Sequence, residues 1–473
     1  MSPARCNRPL RGTLTLMLVL MLVLSPACAS LARAQGRIAV KLAAPDVPAG
    51  AARAGAGSVG PLAAKEDKPI TAYTLPPDEL ERATRLARSR TLIYIASTIW
   101  SVAFLIMLMG LQWMAAIRDL ATRLTPRPWL QGLIVLPMVL LALSVADLPL
   151  SIIGHHISLA YGQSIEPWGS WLWDWTKAIA LTIGGGTLAL SFLFAIVRRS
   201  ERRWWLWFWL LSIPLELLVT FAVPYVVDPL FDHFEPLALS HPALVQQLER
   251  VVARSNLQIP PSRMFLMRAS EKVTSLNAYV TGFGASKRVV VWDTTIRKCT
   301  PGQILFIFGH EQGHYALNHI RLGLLATTAG SLFALWAGFH ATGFLIGRFG
   351  RRWGVSTTAD WAAVGVLLLL SSIFGVLGEP FENAFSRTLE HQADVYGQEV
   401  IHGLVPDPGQ AAASAFQQLG EVSLDDPYPN RFLEFWTYSH PSISRRVAFA
   451  AHYDPWREGQ RPRYFAQEPG EQK

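Results

Sequence analysis

Charge and cysteine are both scarce in this chain. Only 16% of its 473 residues are charged, against roughly 25% in an ordinary soluble domain, while 51% are hydrophobic. A soluble enzyme of this length would have to hide that apolar excess in an implausibly large core. The apolar residues are instead gathered into long runs, which points to a membrane protein and excludes disorder as the dominant state. Three cysteines, Cys6, Cys28 and Cys299, leave no room for a disulfide framework. The formal charge of +8 does not argue for nucleic acid. Its arginines lie in short runs beside apolar segments, such as Arg198, Arg199, Arg202 and Arg203, which is how membrane topology is encoded.

Residues 1–34 carry Arg5, Arg8 and Arg11, an apolar run from Leu14 to Leu24, and small-x-small sites at Ala27-Cys28-Ala29 and Ala32-Arg33-Ala34. This layout predicts a secretory signal peptide or, in its place, a first membrane span. Residues 35–72, rich in Ala, Gly and Pro, read as a flexible linker. Six longer apolar stretches follow, at 91–113, 130–153, 177–197, 204–226, 322–347 and 359–377, each long enough to cross a bilayer. The loops at 118–127, 198–203 and 348–352 hold ten Arg, whereas 155–176 holds no Lys or Arg. The first three are therefore expected in the cytoplasm; Arg82, Arg85, Arg88 and Arg90 fall on the other side. Two spans separate residue 310 from residue 390, so both segments should face one compartment, and the arginine count puts it outside the cytoplasm. Asp147 and Glu216 lie within apolar stretches, where a charge facing lipid would be costly, and are expected to face a water-filled interior. The chain divides into a membrane domain of four spans at 73–228, a domain at 229–455 containing two more, and a polar tail at 456–473.

Chemistry concentrates at 300–319, T-P-G-Q-I-L-F-I-F-G-H-E-Q-G-H-Y-A-L-N-H. Thr300 as N-cap, Pro301 at the first helical position and Gln303 closing a capping box mark a helix start. On that helix His310 and His314 stand one turn apart on one face, close enough to share a metal ion. Glu311 lies beside them, where a carboxylate can take a proton from water polarised by the metal. His319 reads as a surface histidine. A catalytic zinc needs a third protein ligand and an open position. From Glu382 to about Val400 a second helix is expected, on which Asn383, Arg387, Glu390 and Asp394 recur at spacings of four, three and four. That polar stripe suits a metal ligand at Glu390, with Asp394 orienting a ligand histidine and Arg387 holding the carboxylates. A solvated face with ion pairs fits the spacing equally well, and Glu379 and Glu382 are rival ligands.

H-E-Q-G-H at 310–314 together with N-A-F-S-R-T-L-E-H-Q-A-D at 383–394 resembles the zinc peptidase family that contains the type I CAAX prenyl endopeptidases and the bacterial membrane heat-shock proteases. The resemblance extends to P-L-F-D-H-F-E-P-L at 229–237, S-L-N-A-Y-V-T-G-F-G at 275–284 and Y-S-H-P-S at 438–442, covering roughly residues 70–450. It implies a mainly α fold: a polytopic helical membrane protein around a large chamber, with a small α+β zinc metalloprotease domain of gluzincin type. It implies His310, His314 and Glu390 as ligands of one Zn2+, Glu311 as base, Asp394 behind a ligand, and His440 as the group stabilising the transition state, with Tyr438 a rival donor. The segment of Asn277 and Ala278 resembles the edge strand on which these peptidases lay their substrate. Independently, Ser275–Val280 and Arg288–Trp292 read as two strands around a Gly282-Phe283-Gly284 turn, whose exposed edge suits an extended peptide. Arg445 departs from the acidic residue that relatives commonly place there.

These readings predict an integral-membrane zinc endopeptidase acting on peptides or proteins, with the bilayer as its other partner and no nucleic acid. Its clients would be CAAX-type prenylated proteins or damaged envelope proteins. A transporter or scaffold with a structural metal is the rival from another class, and a structural zinc is normally closed by four protein ligands.

Overall fold

A computed structural model describes residues 69–255, 257–281, 287–457 and 459–465. The signal peptide or first span, nearly all of the linker, the Gly282-Phe283-Gly284 turn and the end of the polar tail lie outside the described residues.

Five helices open the described chain: α1 (Pro77–Gly110), α2 (Trp113–Leu124), α3 (Pro128–Ala160), α4 (Trp168–Arg199) and α5 (Trp204–Val226). After them come β1 (Phe234–Pro236), α6 (Pro242–Ala253), β2 (Met264–Met267), β3 (Ala278–Thr281), β4 (Arg288–Trp292) and the short α7 (Asp293–Lys298). The remaining helices are α8 (Pro301–Ala316), α9 (His319–Trp353), α10 (Val364–Val400), α11 (Pro408–Ser423), α12 (Arg431–Thr437) and α13 (Ile443–His452). Among the described residues α1, α3, α4, α9 and α10 are long and apolar enough to cross a membrane. The stretch expected to span at 204–226 is helical as α5, with Trp204–Val219 as its apolar described part.

Two large cores result, with smaller clusters around Leu86 and Val290. One packs α1–α5 with α9 and the first half of α10, around Leu136, Leu190, Phe194 and Leu215. The other joins the sheet to α6, α8, α11 and the end of α10, around Leu248, Val289, Phe306, Phe308 and Phe416. The sheet order is β1-β2-β4-β3, with β2 and β4 parallel and the outer pairs antiparallel. β3 is thus an edge strand, with Ala278 opposite Val291 and Val280 opposite Val289. The strand expected from Ser275 begins only at Ala278: the Asn277 N–H donates to Thr295 Oγ1 at 2.8 Å instead of to a strand, while its carbonyl accepts from both that hydroxyl and the Trp292 N–H.

The expected catalytic helix at 382–400 is not a separate element. It continues the membrane-crossing stretch as the single 37-residue helix α10, running straight through Pro380. The two intramembrane acids also have defined surroundings. Asp147 is exposed and accepts from Ser151 Oγ at 3.0 Å, while half-buried Glu216 accepts from Thr328 Oγ1 on α9 at 3.4 Å.

α8 begins with the capping box read from the sequence, Thr300 and Gln303 bonding each other's backbone N–H. It is buried on nearly every side: Phe306 and Phe308 are each 1% exposed, and burying side chains of that size contributes about 1.5–3 kcal/mol apiece. Its contact with α10 is unusually close. A Cβ on Gly309 would stand 2.6 Å from Val400 Cγ1, and one on Gly397 would stand 2.9 Å from the His310 backbone nitrogen. Only hydrogen fits at either point, so the glycines let the two helix backbones touch beside the histidines. Gly397→Ala is therefore expected to cost about 1–3 kcal/mol as an overpacking substitution. It should lower the melting temperature in detergent; a melting temperature equal to that of the parent would show that the seam tolerates a methyl group.

Candidate metal centre

The seam delivers three donors to one point. His310 Nε2 and His314 Nε2 lie 3.2 Å apart; Glu390 Oε2 is 3.3 Å from the first and Glu390 Oε1 is 3.5 Å from the second. Donors on a tetrahedral zinc, with bonds near 2.0–2.1 Å, stand about 3.4 Å from one another. Glu390 Oε2 is buried without a hydrogen-bond donor, which is costly for an ionised oxygen unless a cation faces it. Among the described residues, His310, His314 and Glu390 are the group of side chains able to hold a metal together. Glu379 and Glu382, the rival ligands, stand outside it. Glu379 is buried against α1, accepting from the Tyr94 hydroxyl at 2.6 Å.

Behind the donors lies a second tier of polar contacts. Asp394 Oδ1 is 2.8 Å from His310 Nδ1, leaving Nε2 free to face the centre. The cation on the carboxylates is Arg446 of α13, not Arg387. Its Nε reaches Asp394 Oδ2 at 3.0 Å and its Nη2 reaches Asp394 Oδ1 at 2.6 Å, with Glu390 Oε2 at 3.8 Å. The guanidinium also stacks 4.3 Å over the Phe416 ring. Arg387 instead donates from Nη1 to the carbonyls of Glu434, Phe435 and Tyr438, at 3.2, 3.3 and 2.5 Å. Asn383, one turn earlier, donates to the Trp436 carbonyl at 2.6 Å. These carbonyls lie at the end of α12, where a helix leaves most of its last carbonyls without backbone partners. Arg387 and Asn383 thus hold the end of α12, and neither touches the metal group. Arg445, the departure noted from the sequence, pairs with Glu434 at 3.2 Å.

His319 is the other residue that sequence reading missed. It is 3% exposed, its Nδ1 lies 3.1 Å from His314 Nδ1, and its Nε2 lies 3.1 Å from Gln392 Oε1. On an unbroken helix a residue five positions on projects about 140° away. Here Asn318, at φ 59°, ends α8 and turns the chain, bringing His319 back over His314. The available signal was the Asn itself, since Asn tolerates the left-handed region better than most residues.

Burial acts differently on each titratable group. It would drive His310 toward neutrality, but the hydrogen bond to Asp394 and the negative charges of Asp394 and Glu390 outweigh it and hold that imidazole's pKa well above the ordinary value. Burial pushes His314 down to about 3, with the neighbouring His310 charge adding to the effect. The proton favoured on His310 is the positive charge that two buried carboxylates demand, and a divalent cation among the same donors satisfies that demand directly. Burial likewise raises Glu311 to about 7, Glu390 adding to the shift while His310, Arg446 and a backbone hydrogen bond from Val280 oppose it. Glu311 is therefore tied to the edge strand β3. Asn277 is exposed just before that strand, and Ala278 is buried at its start. His440 is exposed at the rim, its Nε2 3.2 Å from Glu390 Oε2 and its Nδ1 2.9 Å from the Ser439 hydroxyl. The charges bearing on the Tyr438 phenol, by contrast, are those of Asp425, Asp426, Arg90 and Glu434.

Comparison with known proteins decides what this arrangement belongs to. A profile described as Peptidase family M48 matches residues 238–454. One described as CAAX prenyl protease N-terminal, five membrane helices, matches residues 64–233. The uncharacterized metalloprotease YhfN of Bacillus subtilis is 32% identical over 396 residues, spanning 82% of this chain and 89% of that protein. The chain belongs to peptidase family M48. It is a polytopic, mainly helical membrane metalloendopeptidase. The human CAAX prenyl protease 1 homolog is 24% identical over 361 residues, spanning 67% of this M48 chain and 73% of that protein. The crystal structure of S. mikatae Ste24p shares the fold, with a TM-score of 0.69 at 21% identity, covering 80% of this chain and 90% of that one.

Two outcomes are expected of the outer contacts. His319→Ala should weaken metal binding by roughly ten- to a hundredfold, as loss of a ligand's hydrogen-bond partner commonly does, measured by competition with a chromophoric chelator; unchanged affinity would make His319 a packing residue only. Arg446→Met leaves Asp394 without its cation and should cost about 3–5 kcal/mol of stability, whereas Arg387→Met should keep full metal stoichiometry. Metal loss in the Arg387 variant would return that arginine to the carboxylates.

Proposed function

We propose that the protein is a zinc-dependent endopeptidase whose metal is held by His310, His314 and Glu390, with Glu311 as its general base. The observation that carries this reading is the donor spacing of 3.2, 3.3 and 3.5 Å around a carboxylate oxygen that no hydrogen bond satisfies. Three protein donors rather than four leave a position open, which is the catalytic pattern and weighs against a purely structural metal. Zinc there would supply a Lewis acid for the scissile carbonyl and lower the pKa of water at the open position. Glu311 removes the proton of that water and delivers it to the leaving amine nitrogen. His440 donates from Nε2 to the carbonyl oxygen as negative charge develops, a contribution of roughly 3 kcal/mol in comparable sites. Asp394 fixes the His310 tautomer through Nδ1, and Arg446 keeps Asp394 ionised.

The substrate lies extended along β3, with Asn277 and Ala278 at the start of the edge and main-chain hydrogen bonds fixing the backbone. The Val280 contact supports this reading, because Glu311 lies against the same edge strand. Prenylated CAAX-type C-termini are the substrate suggested by the names of the eukaryotic relatives. The arginine-rich loops favour an extracytoplasmic catalytic side; with that orientation, damaged envelope proteins are the alternative clients.

Glu311→Gln should retain stoichiometric zinc and lose peptide hydrolysis, while Glu390→Ala should lose both. Metal analysis of the purified variants, together with cleavage of a prenylated CAAX peptide and an unmodified unfolded peptide, checks this and separates the two substrate classes. Hydrolysis persisting in Glu311→Gln would refute the assignment of the base.

A further inference from the structure

Along the flank of α10, between the Glu390 face and the exposed phenylalanines, lies a cavity of about 580 Å³ lined by Arg387, Arg431, Arg445, Arg463, His391 and Glu434, among others. Glu434 is the only acid against four arginines in this lining, and it is matched by Arg445. Among the described residues neither Arg431 nor Arg463 makes an ion pair, and both are exposed. Within this lining, positive charge therefore exceeds negative.

The surroundings say which anion fits. Leu377, Phe381 and Phe385 recur every four residues along α10 and are exposed, as are Phe432 and Phe435 on α12. This apolar strip continues from the membrane-crossing stretch directly to the cavity. About 20 residues of helix cross the hydrocarbon core, so a crossing that starts near Trp361 ends near residue 380. At about 1.5 Å per residue Arg387 then sits within about 10 Å of the hydrocarbon edge, the depth of lipid phosphates. The Tyr94–Glu379 hydrogen bond sets α1 at the same depth, and Arg90 lies close enough for its charge to act on Tyr438. The first turns of α1, with Arg82, Arg85 and Arg88 exposed, therefore flank the same level. Those arginines fit poorly with a cytoplasmic charge rule, but they suit a surface that meets anionic headgroups.

We propose that this cavity binds the phosphate headgroup of an anionic phospholipid, whose acyl chains lie along Leu377, Phe381 and Phe385. Arg431 and Arg463 contact the phosphate, while Arg387 and Arg445 are held in place by their protein partners. None of the three metal donors lines it, and binding there does not depend on hydrolysis.

Native mass spectrometry of the full-length protein in detergent, titrated with phosphatidylglycerol or phosphatidylcholine, tests the assignment. The expected result is a phosphatidylglycerol adduct that outlasts the phosphatidylcholine adduct at equal concentration. In the Arg431→Gln/Arg463→Gln variant its affinity should fall roughly 25-fold, about fivefold for each arginine near a membrane surface. Metal content should remain stoichiometric in that variant, which reports an intact fold. Equal retention of the two lipids, or an unchanged adduct in the double variant, would overturn the proposal. So would displacement of phosphatidylglycerol by millimolar inorganic phosphate, since the cavity would then take free phosphate rather than lipid.

Discussion

The candidate metal centre of this protein depends on two helix backbones touching. α8 and α10 are separated in sequence by a chain that leaves along α9 and returns, yet their donors must converge to about the edge length of a coordination tetrahedron. Side chains between the helices would hold them too far apart. Gly309 and Gly397 remove that obstacle where the histidines emerge, and Phe306 and Phe308 on the buried faces of α8 supply the apolar packing that holds the contact shut.

Closing the seam creates an electrostatic problem that the rest of the site answers. Glu390, Asp394 and Glu311 come together where water is largely excluded, and isolated carboxylates cannot stay ionised there. Arg446 arrives from α13 to neutralise Asp394, and His310 shares a proton with both neighbouring acids when no metal is present. The arrangement is built for one more positive charge. A divalent cation meets that demand, relieves Glu390 Oε2, and draws Glu311 back toward the ionised form that a base requires.

α10 does several jobs along its length, and its faces divide them. Its first half is membrane-crossing helix. Farther on, Asn383 and Arg387 grip the end of α12 and so set the approach of His440, while Glu390 and Asp394 serve the metal centre a turn later. The opposite face carries the exposed phenylalanines, and the arginine-lined cavity lies on the flank between the two. A helix that passes from lipid to the catalytic centre without a break ties the depth of the active site to the depth of the bilayer.

The local parts of this picture were legible in the sequence. The capped helix of H-E-Q-G-H, the pairing of His310 with His314, the apolar stretches and the polar stripe all follow from spacing and composition, because each is set by contacts within a few turns. Four things were not legible: the continuity of α10 through Pro380, the use of Arg387 on backbone carbonyls, the placing of Arg446 on Asp394, and the return of His319 onto His314. Periodicity places Arg387 on the same face as Glu390, but cannot say which neighbour that face meets. Arg446 and His319 reach the centre only through a bend at Asn318 and the docking of α13, both fixed by long-range packing. The sequence by itself determined which side chains could bind a metal and that the protein lies in a membrane. Only the tertiary structure decided which cation balances the carboxylates and where the third ligand stands, because those distances are set by how helices far apart in the chain pack together.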